Sequence, residues 1–159
     1  MRRISVFGAT GSVGESTFDL LMHQGGPARF HTVALTGARN VRRLAALALA
    51  LKAEIAVTAD ATCLPDLRAA LHGSGVHAAA GPQALAEAAC NAAKEVALDL
   101  FIAGRIGFMD MAGLVETRLA KLSSEISLGK AATVLDDIIA MDQLARIRAR
   151  DAVKQFLGG

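Results

Sequence analysis

Short apolar runs alternate with helical stripes through the first part of the chain. Ile4-Ser5-Val6-Phe7 reads as a buried strand that ends at Gly8. From Ser12 to Met22 the apolar positions Val13, Phe18, Leu21 and Met22 fit one helical face, and Gly25-Gly26-Pro27 breaks that helix. A second strand is expected over Phe30 to Thr36 and a second helix over Asn40 to Leu51. Ile55 to Thr58 forms a short third strand, followed by a helix from about Asp60 to Leu71. Gly73-Ser74-Gly75 turns the chain into a weaker fourth strand, Val76 to Ala79. Strands alternating with helices in this way imply a parallel sheet with right-handed crossovers.

After Pro82 the pattern becomes purely helical. Leu85, Ala89, Ala92, Val96, Leu100 and Ala103 recur at three- and four-residue steps, which predicts one helix over Gln83 to Ala103 with Gly104 closing it. A further helix is expected over Phe108 to Leu122, then a polar loop over Ser123 to Ala131. Thr133 would cap a last helix with Asp136 and Asp137 in its first turn and Arg146, Arg148, Arg150 and Lys154 towards its end. Its apolar stripe (Leu135, Ile138, Ala145, Ala149, Ala152 and Phe156) requires a partner surface. Residues 1–90 carry eight Lys and Arg against six Asp and Glu, and residues 91–159 carry nine against nine. The change of pattern and charge divides the chain near residue 90, into an α/β part (1–90) and a helical part (91–159).

Composition narrows the function. With 159 residues, 53% of them hydrophobic and 20% charged, the chain has enough apolar material for a core. It has no Trp or Tyr and six Phe, which suits helices on a sheet and argues against a β-sandwich or a stacking platform for single-stranded nucleic acid. A net charge of +2 is too small for an electrostatic grip on nucleic acid or an anionic membrane. The longest apolar run, Leu44 to Leu51, is too short to span a bilayer. Met1-Arg2-Arg3 runs straight into the first strand without a signal-peptide pattern, and Cys63 and Cys90 make no disulfide framework. The expected compartment is the cytoplasm, with neither nucleic acid nor membrane as a partner.

The chemistry concentrates in Gly8-Ala9-Thr10-Gly11-Ser12-Val13-Gly14, between the first strand and the first helix. Gly8 and Gly11 let the chain turn sharply and approach a pyrophosphate, and Gly14 lets the helix pack against the sheet. Amides and the positive helix end then face an anion. The spacing is GxxGxxG rather than GxGxxG, so the strand–turn–helix context matters to the reading. A tight turn without ligand is the alternative. At the end of the second strand stands Ala34-Leu35-Thr36-Gly37-Ala38-Arg39-Asn40, with no acid to accept from a ribose 2′-hydroxyl. Arg39 stands there instead. A guanidinium grips a 2′-phosphate bidentately, so the chemistry favours NADP over NAD. Arg42 and Arg43 read better as solvated charges at a helix start.

No other residues assemble a reaction centre. His23, His31, His72 and His77 lie at predicted helix ends and strand edges. Cys63 reads as buried filler, and Asp136, Asp137 and Asp142 as capping and solvated charges rather than metal ligands. No catalytic or metal-binding residue is assigned.

The runs Ile4 to Gly14, Thr17-Phe18-Asp19, Val33-Ala34-Leu35-Thr36 and Arg39-Asn40-Val41 closely resemble the start of 1-deoxy-D-xylulose 5-phosphate reductoisomerases. Asn91 to Ala97, Phe101 to Asp110 and Asp136-Asp137-Ile138 resemble the C-terminal part of that family. Lys94 departs from it, since the family usually has Asn there. The resemblance implies NADPH as cofactor, a divalent Mg or Mn ion, and a place in non-mevalonate isoprenoid synthesis. It also implies that Thr10, Gly11, Ser12, Val13, Ala38, Arg39 and Asn40 line the NADPH pocket.

In the family these two parts are not adjacent. Between them lie further cofactor-domain strands and the catalytic domain with its metal ligands, phosphate-binding residues and Trp-bearing lid. Here they join somewhere around Gly81 to Asn91. The expected fold is therefore α/β, a truncated Rossmann-like parallel sheet of about four strands followed by a helical C-terminal part. Residues 1–90 would be a partial NADP-binding domain. Without metal or substrate ligands the chain is expected to bind NADPH at most and not to turn over alone. The fourth strand is expected at a sheet edge, which predicts a homo-oligomer. The alternative is a non-catalytic assembly module whose glycine turn is vestigial.

Overall fold

A computed structural model describes residues 2–127. Four parallel strands form one sheet in the order β1 (Arg2–Val6), β2 (Phe30–Gly37), β3 (Ile55–Thr58), β4 (His77–Ala80). The connecting helices are α1 (Ser12–His23), α2 (Val41–Ala50) and α3 (Leu64–Ala70), followed by α4 (Gly81–Ile102) and α5 (Asp110–Ser127). This is the parallel α/β sheet expected from the alternating pattern, in the truncated Rossmann-like form that the family resemblance implies. Because each strand is laid down beside the last, all three crossovers run in one direction. α1, α2 and α3 therefore share one sheet face.

That face holds the main core. Val6, Leu35 and Ala56 from the strands pack with Leu21, Leu44, Leu47 and Leu67 from the helices. The opposite face is covered by α4, which touches all four strands. Here Ala34 and Val57 meet Ala88, with Phe7, Ile55, Ala79, Ala84 and Leu85 around them. Alanines let α4 lie close to the sheet. The helix buries Ala88, Ala89, Ala93, Ala97 and Leu100, a stripe rotated from the expected one, and Ala103 is exposed. The helix packs on the sheet and also against α5, so its buried positions answer to two surfaces. Residue 90 lies inside α4.

Several boundaries move for local reasons. β1 begins at Arg2, because its backbone pairs with β2 although the arginine side chains lie outside the core. It ends before Phe7, at the approach to Gly8, whose φ of 73° suits glycine. Between Ile4 and Ser5 the register slips, Ile4 opposing Thr32 and Ser5 opposing Ala34. Met22, expected in the core, is exposed, and Thr17 takes the inward place on α1. The expected Asp60–Leu71 helix opens with a 3₁₀ turn at Ala61–Cys63, capped by Asp60, before α3 starts beside Pro65. The close of α4 is a Schellman motif: the Arg105 amide donates to Leu100 O (2.9 Å) and the Gly104 amide to Phe101 O (2.9 Å). Gly104 holds the left-handed φ of 66° that this motif favours.

The loop expected from Ser123 is helical as far as Ser127, since nothing before Gly129 breaks the helix. The rest of that loop, the last helix, and Asp136, Asp137 and Asp142 lie outside the described residues. β4 is an edge strand as expected, and β1 is the other edge. In a doubly wound sheet the second half would continue from β1. No helix among the described residues is long and apolar enough to cross a membrane.

Candidate functional site

The site forms where the C-terminal ends of β1 and β2 lie side by side. The Gly8 amide donates to Thr36 Oγ1 (3.0 Å) and the Ala9 amide to Thr36 O (2.7 Å). These bonds hold the glycine turn against the end of β2. A Cβ placed on Gly37 would stand 3.1 Å from Thr10 Oγ1, so Thr10 and the Ala38–Asn40 loop are neighbours. The two segments singled out in the sequence meet here.

The three glycines of the turn have different reasons to be glycine. Gly8 needs its positive φ. A Cβ on Gly14 would meet Gly8 O at 2.4 Å and the Ala9 backbone at 2.5 Å, so α1 crosses the turn too closely for any side chain. Gly11 has neither constraint. Its φ is −84°, and an added Cβ would make one ordinary contact, 3.4 Å to Gly8 O. Gly11 is also the N-cap of α1, and it contributes no side-chain hydrogen bond. The first amides of a helix have no intrahelical acceptor. At Ser12 and Val13 they therefore lie at the positive end of α1, next in the chain to a residue with no side chain.

Glu15 in the first turn of α1 would repel an anion, but Arg43 neutralises it. Arg43 Nε donates to Glu15 Oε1 (2.7 Å) and Nη2 pairs with Oε2. The hydrogen bond from Arg43 holds the Glu15 carboxyl below its ordinary range. Arg43 also lies over the Phe18 ring at 5.6 Å. This residue therefore joins α1 to α2, a structural duty beyond the solvated charge expected of it.

Arg39 is different. Its side chain is 84% exposed and its Nε donates to Asp60 Oδ2 (2.8 Å). Asn40 caps α2, accepting from the Arg43 amide (3.2 Å). Ala38 is exposed, and its carbonyl accepts from Thr58 Oγ1. Sequence reading missed Asp60 except as the start of a helix. An acid after the third strand, facing an arginine after the second, was the available signal, but only the parallel register of β2 and β3 makes them neighbours.

The remaining candidates stay apart from this site. His23, His72 and His77 are exposed, and His31 pairs with Glu54 (Nε2 to Oε1, 2.5 Å). Cys63 and Cys90 are both free and half-buried. Among the described residues no three His, Cys, Asp or Glu side chains gather to hold a metal ion. The divalent ion implied by the resemblance therefore finds no ligand set there.

A parallel sheet with a glycine turn at its first helix, and a basic residue after its second strand, defines a partial Rossmann-like domain. The chain belongs to the 1-deoxy-D-xylulose 5-phosphate reductoisomerase family, whose profile matches residues 4–145. It is 67% identical over 89 residues to the reductoisomerase of Cereibacter sphaeroides, an alignment covering 56% of this chain and 23% of that protein. It is 71% identical over 93 residues to that of Paracoccus denitrificans, covering 58% and 24%. The chain thus spans about a quarter of the length of the curated relatives it matches. Among solved structures it resembles the Zymomonas mobilis reductoisomerase in complex with NADPH (TM-score 0.54, 48% identity, 56% of this chain and 23% of that one). It also resembles a reductoisomerase in complex with NADPH, fosmidomycin and magnesium (TM-score 0.51, 27% identity, 57% and 22%).

Proposed function

We propose that this chain is a reductoisomerase-type NADPH half-site that binds the dinucleotide and does not turn over by itself. Thr10, Gly11, Ser12 and Val13 would receive the pyrophosphate, and Ala38, Arg39 and Asn40 the adenosine end, with Arg39 on the 2′-phosphate. The observation that carries this reading is Gly11, a glycine that neither backbone angle nor packing requires. Its missing side chain leaves the approach to the first α1 amides open. The family relationship gives the anion its identity, since a relative of similar sheet geometry is solved with NADPH.

Bound NADPH supplies a hydride. Among the described residues, however, there is neither a metal ligand set to polarise a hydroxyketone acceptor nor a further strand beside β1 to floor the nicotinamide half. This is the basis for binding without turnover. The setting in this reading is the cytoplasm, where Cys63 and Cys90 remain thiols.

The test is calorimetric titration with NADPH and NADH, repeated on Arg39→Ala. The expected result is NADPH binding at least about tenfold tighter than NADH, a preference lost in the variant. Absence of heat with either nucleotide at millimolar concentration refutes the reading.

A second reading, homo-oligomeric assembly, draws on the β1 and β4 sheet edges, which have no outer neighbour among the described residues. It draws also on the exposed Leu98, Phe101, Ile102, Phe108 and Met109 around the α4–α5 turn. Sedimentation without nucleotide decides it: a discrete oligomer supports assembly, and a monomer at all concentrations removes it.

A further inference from the structure

We propose that Asp60 is the positioning residue that makes Arg39 a reader of the 2′-phosphate. The inference rests on the reading that Arg39 faces that group in NADPH. An arginine 84% exposed on a loop would otherwise surrender most of its rotamer freedom on gripping a phosphate, which weakens the grip. Asp60 removes much of that freedom beforehand.

The geometry divides the Asp60 carboxylate between two tasks. Oδ1 accepts from the Thr62 amide (2.9 Å) and the Thr62 hydroxyl (2.6 Å), which ties Asp60 to the turn it caps. Oδ2 accepts from Arg39 Nε (2.8 Å). These bonds, chiefly those from Thr62, hold the Asp60 carboxyl below its ordinary range, so it is charged at neutral pH.

The two backbone segments are themselves fastened together. The Ala59 amide donates to Gly37 O (2.8 Å), and the Thr58 hydroxyl donates to Ala38 O. Arg39 and Asp60 are thus presented to each other by paired strand ends.

A carboxylate this close to an arginine has a second possible effect: it repels a phosphate dianion and occupies the guanidinium. The atom it engages decides between the two. Asp60 takes Nε, and among the described residues the terminal Nη groups have no partner. The two Nη groups form an edge that binds a phosphate in two parallel hydrogen bonds. A competitor would occupy that edge, whereas a positioning residue leaves it open.

Asp60→Ser separates the roles, because serine still caps the turn but is too short to reach Arg39. The expected result is NADPH binding weakened about fivefold, the scale of one partly exposed charge pair, with NADH binding unchanged. In the Arg39→Ala background the same substitution should have no effect on either nucleotide. Asp60→Asn is the second variant should the serine protein melt early. With a single amide oxygen it cannot serve Thr62 and Arg39 together, and the same selective loss is expected.

Equal or tighter NADPH binding by the Asp60 variants overturns the proposal and makes Asp60 a competitor. Parallel weakening of NADPH and NADH also overturns it, because Asp60 would then act only on the loop fold. The wild-type titration keeps the two levels apart: a wild type that does not prefer NADPH to NADH refutes the role of Arg39 itself, and the proposal falls with it.

Discussion

Adding one methyl group at Gly14 or at Gly11 should separate what the turn does for the fold from what it does for a ligand. At Gly14 the new Cβ would lie 2.4 Å from Gly8 O and 2.5 Å from the Ala9 Cα and C atoms. Ordinary contacts of this kind need more than 3 Å, and every clashing atom is backbone, so no side chain can swing away. α1 must lift from the turn, loosening the packing of Leu21 against the core. Overpacking of this kind costs about 3 kcal/mol or more, a large share of the stability of a small domain.

At Gly11 the contact is 3.4 Å and φ is already in the ordinary region. Alanine caps a helix less well than glycine, which costs about 0.5 kcal/mol, while reduced freedom of the unfolded chain returns a similar amount. Gly11→Ala should therefore melt near the wild type, and Gly14→Ala well below it. Calorimetric titration of Gly11→Ala with NADPH should then show binding weakened at least about tenfold, because the methyl narrows the backbone turn that a pyrophosphate would approach. Full NADPH affinity in a stably folded Gly11→Ala protein would refute the reasoning. That glycine would then be as incidental to the ligand as it is to the fold.

Two further outcomes follow from groups around the sheet. Thr32 Oγ1 is buried without a hydrogen-bond partner among the described residues, so Thr32→Val should stabilise the protein by about 1 kcal/mol and raise its melting temperature by about 3 °C; a lower melting temperature would disprove the cost assigned to that hydroxyl. The Glu15 carboxyl is held low in the fold by Arg43, so its contribution to stability is complete above its unfolded pKa of about 4.3 and fades as pH falls through the folded value. Glu15→Gln should accordingly melt below the wild type at pH 7 by a gap that narrows as the pH falls below the ordinary carboxylate range, and a gap that stays constant with pH would exclude the ion pair as the cause.

Most of the fold was legible because local patterns and the final packing agree. Strand and amphipathic helix recur three times, and the repetition implies a parallel sheet with right-handed crossovers. Disagreements appear where packing outvotes pattern. Met22 looks like a core residue by periodicity, yet the space beneath α1 is taken at Thr17 and Leu21. The stripe on α4 turns by about one position, because the helix packs on the sheet along one side and against α5 along another. Ser123 to Ser127 reads as a loop by polarity, although none of those residues prevents a helix.

The site divides in the same way. The glycine turn and the absence of an acid after β2 are local features, readable from one stretch of chain, and with the family resemblance they sufficed to nominate Thr10 to Val13 and Ala38 to Asn40. The backbone angles and clearances separating Gly8 and Gly14 from Gly11 belong to the tertiary structure. So do the pairings of Arg43 with Glu15, 28 residues apart, and of Arg39 with Asp60, 21 residues apart. Hydrophobic periodicity is a property of neighbours along the chain, so sequence alone determined the order and type of elements and nominated the glycine turn as a candidate anion site. Which charge stands beside which depends on strand register and helix crossing, and only the folded sheet decided that Arg43 serves the fold while Arg39 keeps its terminal groups open.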